Sequence, residues 1–453
     1  MHCHSVINIC DTLHIEDHFI CQGIVSDFKD EFIWVIGQVI IEPQELCGFF
    51  VQGCGHFMSK PMLKVLHLSD LHIDRKYAIG EEAQCTEPQC CRPLSDPDEI
   101  SAVKDVTQAA GKWGTVGNCD APFWLFTDMM DHIAAAHKDI DYVVVSGDLE
   151  SHADWDYTRE RHQEMIKNTS DTIRNKLPNI PVFFAIGNHE GVPIDNFAPH
   201  FTPEKFHMDW LYGTMAESWK GWVPDDQVST VWYNGCFMRN LYPGLRIISL
   251  NNELGDTGNL FLYVNQTDPD GTLTCGEALE GWALNFYRIV NRFEDTIVGQ
   301  FFGHTHSEQF RVYFEDPFVR IFAPSLTPYS DFWPAYRLYQ IEGNYPGSQY
   351  RVADWSEYFL NLDEANAKPD APTNWHILYS SVLNEYGLKD NSAEEWNPRK
   401  SHHDDGLCEG LNGIASESTH ELKSLYKRVM QRARENYAKK ALKGKKDDDK
   451  CKL

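Results

Sequence analysis

The sequence predicts an α/β fold in which helices are layered on a sheet buried on both faces. Three observations carry this expectation. Short apolar runs of strand length alternate with segments of helical periodicity, four of these runs end in clusters of Asp, Asn and His, and no internal repeat suggests a solenoid.

Along the chain, residues 1–54 are helical in pattern and contain five Cys, and Ile24, Phe28, Phe32, Ile33, Ile36 and Ile40 recur at helical spacing before Pro43. A short Ser-Lys-Pro linker near residue 60 leads into an apolar strand at 63–68, which ends in Ser69-Asp70-Leu71-His72. Residues 80–120 are rich in Cys, Pro and Gly and read as loop. Phe123, Phe126, Met130 and Ile133 mark a helix over 123–137, followed by strands at 142–146 and 182–186 with a polar helical stretch between them. Further strands are expected at 245–250 and 297–302. Residues 395–420 turn polar and irregular. A last helix starts at Ser418, with Glu421 completing a capping box and Leu422, Leu425, Val429 and Ala433 on its apolar side, and runs into a charged tail.

Composition narrows the function. Of 453 residues 42% are hydrophobic, enough for a large core, and 40 Lys and Arg stand against 67 Asp and Glu. A net charge of −27 repels phosphate backbones and argues against a general nucleic-acid binder. It also repels anionic membranes at neutral pH, an effect that weakens in acid as carboxylates and the 20 His take up protons. No run approaches the roughly 18 apolar residues of a membrane span. The 13 Cys, clustered at Cys85, Cys90 and Cys91, and the sequons at Asn168 and Asn265 point to an oxidising secretory compartment. The start of the chain has no signal-peptide pattern, which fits either a sequence that begins after its signal or a cytosolic chain, and the first is favoured.

The chemistry sits at strand ends: Asp70-Leu71-His72, Ser146-Gly147-Asp148, Gly187-Asn188-His189-Glu190 and Gly303-His304-Thr305-His306. In an α/β sheet, ligands gather outside the carboxyl ends of the strands, so these four ends should share one cleft. Their mixed oxygen and nitrogen donors suit Zn, Mn or Fe better than Ca or Mg. Each block alone has an ordinary reading: Asp-x-His is commonplace, and His304 and His306 could face a core from one strand. All four, each after a strand and in this order, point to a metal site.

This ordered set resembles the calcineurin-like metallophosphoesterase superfamily over about residues 63–350. The resemblance implies a layered β-sandwich flanked by helices. It also implies two metal ions, one held by Asp70, His72, Asp148 and His306 and the other by Asp148, Asn188 and His304, with Asp148 shared. Two cations a few Å apart need such a shared anion. His189 resembles the family's leaving-group histidine. His152 could hold the phosphate or donate the proton, or be an ordinary loop His.

Several stretches resemble acid sphingomyelinases in particular: Cys85 to Cys91, Gly187 to Pro193, residues 242–251 and 285–290, 301–306, and 339–345. That resemblance implies hydrolysis of sphingomyelin to ceramide and phosphocholine, two Zn ions, a lipid surface as partner, disulfides Cys85–Cys90 and Cys91–Cys119, and a lysosomal or secreted location. It divides the chain into a partial saposin-like domain at 1–56, a linker at 57–62, the catalytic domain at 63–350 and a C-terminal helical region and tail at 351–453. The saposin-like part lacks its opening helix and first Cys pair, leaving Cys10–Cys21 as the closed bridge and Cys47 and Cys54 without their usual partners. The family also carries a Gly-His block, with a helix and strand of its own, between the strand at 245–250 and the helix near 285. Here the stretch from Asn265 to Thr274 runs almost at once into Cys275-Gly276-Glu277. The second metal therefore loses one His, and an active enzyme, a phosphodiesterase for soluble substrates such as nucleotides, and an inactive lipid-binding form all stay open.

Overall fold

The computed structural model describes residues 60–93, 105–264, 280–312 and 319–391, with two single positions, 18 and 22, before them. The saposin-like segment, the second sequon, the junction at 274–276 and the helix from Ser418 lie outside the described residues. Two compact units are present: Met1–Pro61 with Gly343–Gln349, and Met62–Glu342 with Tyr350–Leu453. In the first, the Gly343 N–H donates to the Pro61 carbonyl at 2.8 Å.

The second unit is built on strands β1 (Met62–Leu68), β2 (Ile73–Asp74), β3 (Ala121–Pro122), β4 (Tyr142–Val145), β5 (Val182–Phe184), β6 (Phe237–Tyr242), β7 (Leu245–Ser249), β8 (Gln300–Phe302), β9 (Gln309–Val312), β10 (Val319–Phe322), β11 (Ala335–Glu342), β12 (Val352–Leu360) and β13 (Trp375–Tyr379). Its helices are α1 (Phe123–Ala136), α2 (Arg159–Lys176), α3 (Asp209–Ser218), α4 (Val228–Asn234), α5 (Glu280–Arg292), α6 (Leu362–Ala367) and α7 (Val382–Tyr386). A six-stranded mixed sheet runs in the order β13-β12-β11-β1-β4-β5. β1, β4 and β5 are parallel, with α1 and α2 as the crossovers. Parallel strands buried on both faces read as continuous apolar runs, which is why β1, β4 and β5 stand out in the sequence. α1 buries Leu125, Phe126, Met129, Met130 and Ile133 on one side. α2 starts at the Thr158 cap, whose hydroxyl accepts from the Arg161 N–H, and ends with Arg174 and Lys176 against the negative end of its dipole. A second layer, β8-β10-β9, lays Phe301 of β8 against His67 and Tyr339 of the main sheet. β6 and β7 form a separate hairpin.

Two expectations change. The strand expected at 297–302 is limited to Gln300–Phe302. The main sheet also continues past residue 350: β12 pairs with β11 and β13 with β12, so 352–379 belong to the sheet and only α6 and α7 are helical in the described C-terminal part. The cause is a buried ionic cluster. On β12 the inward positions are Trp355, Glu357 and Phe359, and the acid breaks the apolar alternation that marks a strand. Glu357 Oε2 lies 2.7 Å from Arg337 Nη2, which also reaches Glu308 Oε1 at 3.0 Å, and Tyr379 donates to Glu357.

Two buried carboxylates share one guanidinium, and burial followed by Glu308 pushes Glu357 up to about 8. The folded state therefore holds a proton there that the unfolded chain releases near its ordinary carboxylate pKa. The stabilisation is complete below that ordinary value and is lost as pH rises through about 8. Denaturation between pH 5 and 8 should show stability falling with pH by up to about 1.4 kcal/mol per unit from this group. Glu357→Gln should flatten that part of the slope.

Candidate metal centre

Four strand ends meet in one cleft. Asp70 and His72 follow β1, Asp148 follows β4, Asn188 and His189 form a 3₁₀ turn after β5, and His304 and His306 follow β8. Asp70, His72, Asp148, His304 and His306 have φ of +48°, +35°, +54°, +74° and +55°. Residues with side chains seldom adopt this left-handed region, so five of the six expected ligands are in a costly backbone conformation that the framework has to hold. The framework is tight. A Cβ on Gly147 would stand 2.4 Å from Gly187 N, and one on Gly303 would stand 2.6 Å from Ser69 Oγ. The Glu190 carboxylate ties the β4 and β5 turns together by accepting the N–H groups of Gly187 (2.7 Å), Leu149 (2.7 Å) and Asp148 (3.1 Å).

At one position, His72 Nδ1 lies 2.8 Å from the Glu150 carbonyl, which can only accept. Nδ1 therefore carries the hydrogen, and the Nε2 lone pair turns to the cleft. That Nε2 is 3.0 Å from His306 Nε2 and 3.9 Å from Asp148 Oδ2, and His306 Nε2 is 4.0 Å from Asp70 Oδ1. At the other position, His304 Nδ1 is 3.0 Å from Asn188 Oδ1 and 4.0 Å from Asp148 Oδ2. The Asn188 amide is oriented by donating from Nδ2 to Asp195 Oδ1 at 2.9 Å. The His304 side chain is 42% exposed, against 9% or less for His72, His306, Asp70 and Asp148, so the second position opens to solvent on its histidine side.

His152 and His189 complete the cleft. The His152 ring stacks between His72, at 4.1 Å, and Tyr329, at 3.9 Å. Its Nδ1 is 3.0 Å from Asp120 Oδ1, which also accepts from Thr327 at 2.7 Å. The His189 ring lies 4.5 Å from His72 and 4.7 Å from His152, and its backbone N–H donates to Asp148 Oδ1 at 3.0 Å. The structure thus brings all eight residues singled out in the sequence together. It adds three that lie outside the sequence blocks, Asp120, Glu150 and Asp195, and gives Glu190 of the third block its place as the carboxylate between two turns. Asp120 precedes β3, which pairs with β2 just after His72, and follows Cys119 of the Cys91–Cys119 disulfide. Cys85–Cys90 is also formed.

The electrostatics call for a cation. Asp70 and Asp148 are buried beside one another, and no Lys or Arg among the described residues pairs with either. Burial, then Asp148, pushes Asp70 up to about 7, and burial raises Asp148. Burial, then the neighbouring imidazoles, holds His72 well below its ordinary range. Burial, then His152, lowers His189 to about 3. Burial also acts to lower His152, but Asp120 outweighs it and the ring is raised. Paired buried carboxylates and convergent imidazole lone pairs, with no Lys or Arg among the described residues against them, fit divalent metal ions with mixed oxygen and nitrogen ligands. The ligand atoms of Asp70, His72 and His306 all lie within 4.8 Å of one another.

Residues 63–326 match the calcineurin-like phosphoesterase family. The chain is 37% identical to Sphingomyelin phosphodiesterase 2 of Caenorhabditis elegans, covering 86% of this chain and 74% of the relative. It is 33% identical to Sphingomyelin phosphodiesterase of Homo sapiens, over 86% and 69%. Cyclic GMP-AMP phosphodiesterase SMPDL3A of Mus musculus is 28% identical, over 69% and 74%. The alignment to the nematode relative spans 462 positions, more than the 453 residues of this chain, so that relative carries residues inside the aligned region that this chain lacks.

Metal should stabilise the folded cleft against the charge repulsion described above. Adding zinc to chelator-treated protein at about 100 times its Kd is expected to add roughly 3 kcal/mol of stability, read as a rise in Tm that chelator reverses. Asp148→Asn should lose most of that response.

Proposed function

The chain belongs to the calcineurin-like phosphoesterase family, among its sphingomyelin phosphodiesterases, and from that premise we propose that it hydrolyses sphingomyelin to ceramide and phosphocholine. The observation that carries the reading is the convergence of Asp70, His72, Asp148, Asn188, His304 and His306 on one buried anionic cleft in a chain 37% identical to a sphingomyelin phosphodiesterase. Zinc is the metal we assign, with Asp70, His72, Asp148 and His306 as ligands at one position and Asp148, Asn188 and His304 at the other. When bound, zinc polarises phosphoryl oxygens and makes water acidic enough to serve as a nucleophile at moderate pH.

The protein groups supply the rest. His152, which Asp120 shifts toward its charged form, offers positive charge to a non-bridging phosphoryl oxygen. His189 delivers a proton to the departing ceramide oxygen. Its ring is neutral in the cleft, and a phosphodiester anion beside it favours the charged form that can act as the acid. The open side of the second position, at His304, gives a route for the headgroup.

Sphingomyelin and the lipid surface that carries it are the proposed partners. A secretory route to a lysosomal or extracellular location is supported by the two disulfides and by the exposed Asn168 of the first sequon. No helix among the described residues is long and apolar enough to cross a membrane. The likeness to a cyclic GMP-AMP phosphodiesterase supports a soluble phosphodiester as the second reading, at lower identity.

Release of phosphocholine from sphingomyelin vesicles at acidic pH, compared with hydrolysis of cyclic GMP-AMP, tests the proposal. Turnover of sphingomyelin in preference to the dinucleotide is expected. His189→Gln should lower kcat by about 100-fold or more, and Asp148→Asn should abolish turnover. Preference for the dinucleotide would transfer the assignment to the second reading.

A further inference from the structure

Tyr157 lies between the turn Asp154–Asp156 and α2, next to the Thr158 cap. Its hydroxyl meets the Ser151 carbonyl in close contact, the Asp154 carboxylate, and Nδ1 of His189 at 2.6 Å. The carbonyl and the carboxylate accept, so the single phenol hydrogen is drawn to one of them and the oxygen offers a lone pair to His189. The same Nδ1 is 3.4 Å from the Ser151 carbonyl, a second acceptor. Two acceptors at one ring nitrogen require that nitrogen to carry the hydrogen, and the opposite nitrogen, Nε2, then turns into the cleft beside His72 and His152. Burial and the carboxylates of Asp154 and Glu150 hold the phenol well above its ordinary range, so it does not lose this hydrogen. The His189 carbonyl is held separately, by His162 Nε2 at 2.8 Å, and the Tyr157 ring packs edge-on to His162 at 4.7 Å. The backbone and the ring of His189 are thus oriented from the same helix end.

We propose that Tyr157 is the positioning residue of His189: its oxygen accepts the Nδ1 hydrogen, holds the ring in one tautomer and aims Nε2 at the leaving-group oxygen. The catalytic consequence rests on the role given to His189 above, whereas the tautomer does not.

Tyr157→Phe removes the nearer of the two acceptors, leaves the Ser151 carbonyl at 3.4 Å, and keeps the ring against His162. The first readout needs no turnover: nitrogen NMR of the full chain labelled at histidine, with the His189 signal identified by its loss in His189→Gln. The wild type should show the Nδ1–H tautomer, and Tyr157→Phe should move the signal towards an average of the two tautomers. An unchanged tautomer would overturn the proposal. The second readout compares leaving groups. Tyr157→Phe should lower kcat on sphingomyelin about 10-fold, with KM within about 2-fold, and change hydrolysis of bis(p-nitrophenyl) phosphate, whose leaving group needs no proton, by less than about 2-fold. If His189→Gln separates the two substrates and Tyr157→Phe does not, the proposal fails. If His189→Gln slows both alike, the acid role of His189 fails, and the NMR result alone decides the placement of the ring.

Discussion

Two carboxylates, Asp70 and Asp148, are buried beside each other with no ammonium or guanidinium among the described residues to pair with them, and the cleft is organised around that uncompensated charge. Like charges in a low-dielectric site are tolerated only with protons or cations between them. The sheet supplies the means. Parallel strands β1, β4 and β5 end side by side, and β8 from the second layer ends above them, so short turns can direct oxygen and nitrogen donors at common points. The left-handed backbone at five of these residues is the conformational cost, and it is offset by the rigid core of the sheet and by the Glu190 carboxylate bridging two turns.

Much of this was legible in the sequence because burial leaves a simple mark. β1, β4 and β5 are largely apolar runs, and the expected ligands follow these strands or β8 directly. Asp120 was not legible: it belongs to a loop-like stretch and reaches His152 only through the pairing of β2 with β3. β12 was hidden for the opposite reason, since a buried Glu357, bonded through Oε2 to Arg337 and Tyr379, interrupts the apolar period. Tyr157 and Asp195 act through single hydrogen bonds whose geometry has no sequence period at all.

The expected shortening before α5 falls at residues outside the described ones. The hairpin β6-β7 and the sheet β8-β10-β9 are separate, and Ile248 and Leu250 near the end of β7 are 58% and 49% exposed. Both are large apolar side chains at the place where the acid sphingomyelinase pattern would add a helix and a strand. In that pattern the same region would bring a further histidine to the position proposed for Asp148, Asn188 and the exposed His304. The two proposed metal positions are therefore unequal: one draws on four buried groups and the other on three, one of them open to solvent.

Metal content per chain, measured by elemental analysis on the purified protein, tests this account most directly. About one zinc retained after dialysis against metal-free buffer, and a second bound only when zinc is in excess, is the predicted result for one closed and one open position. Folded protein that binds no metal under either condition would contradict it, because the buried Asp70–Asp148 pair would then be neutralised by protons alone.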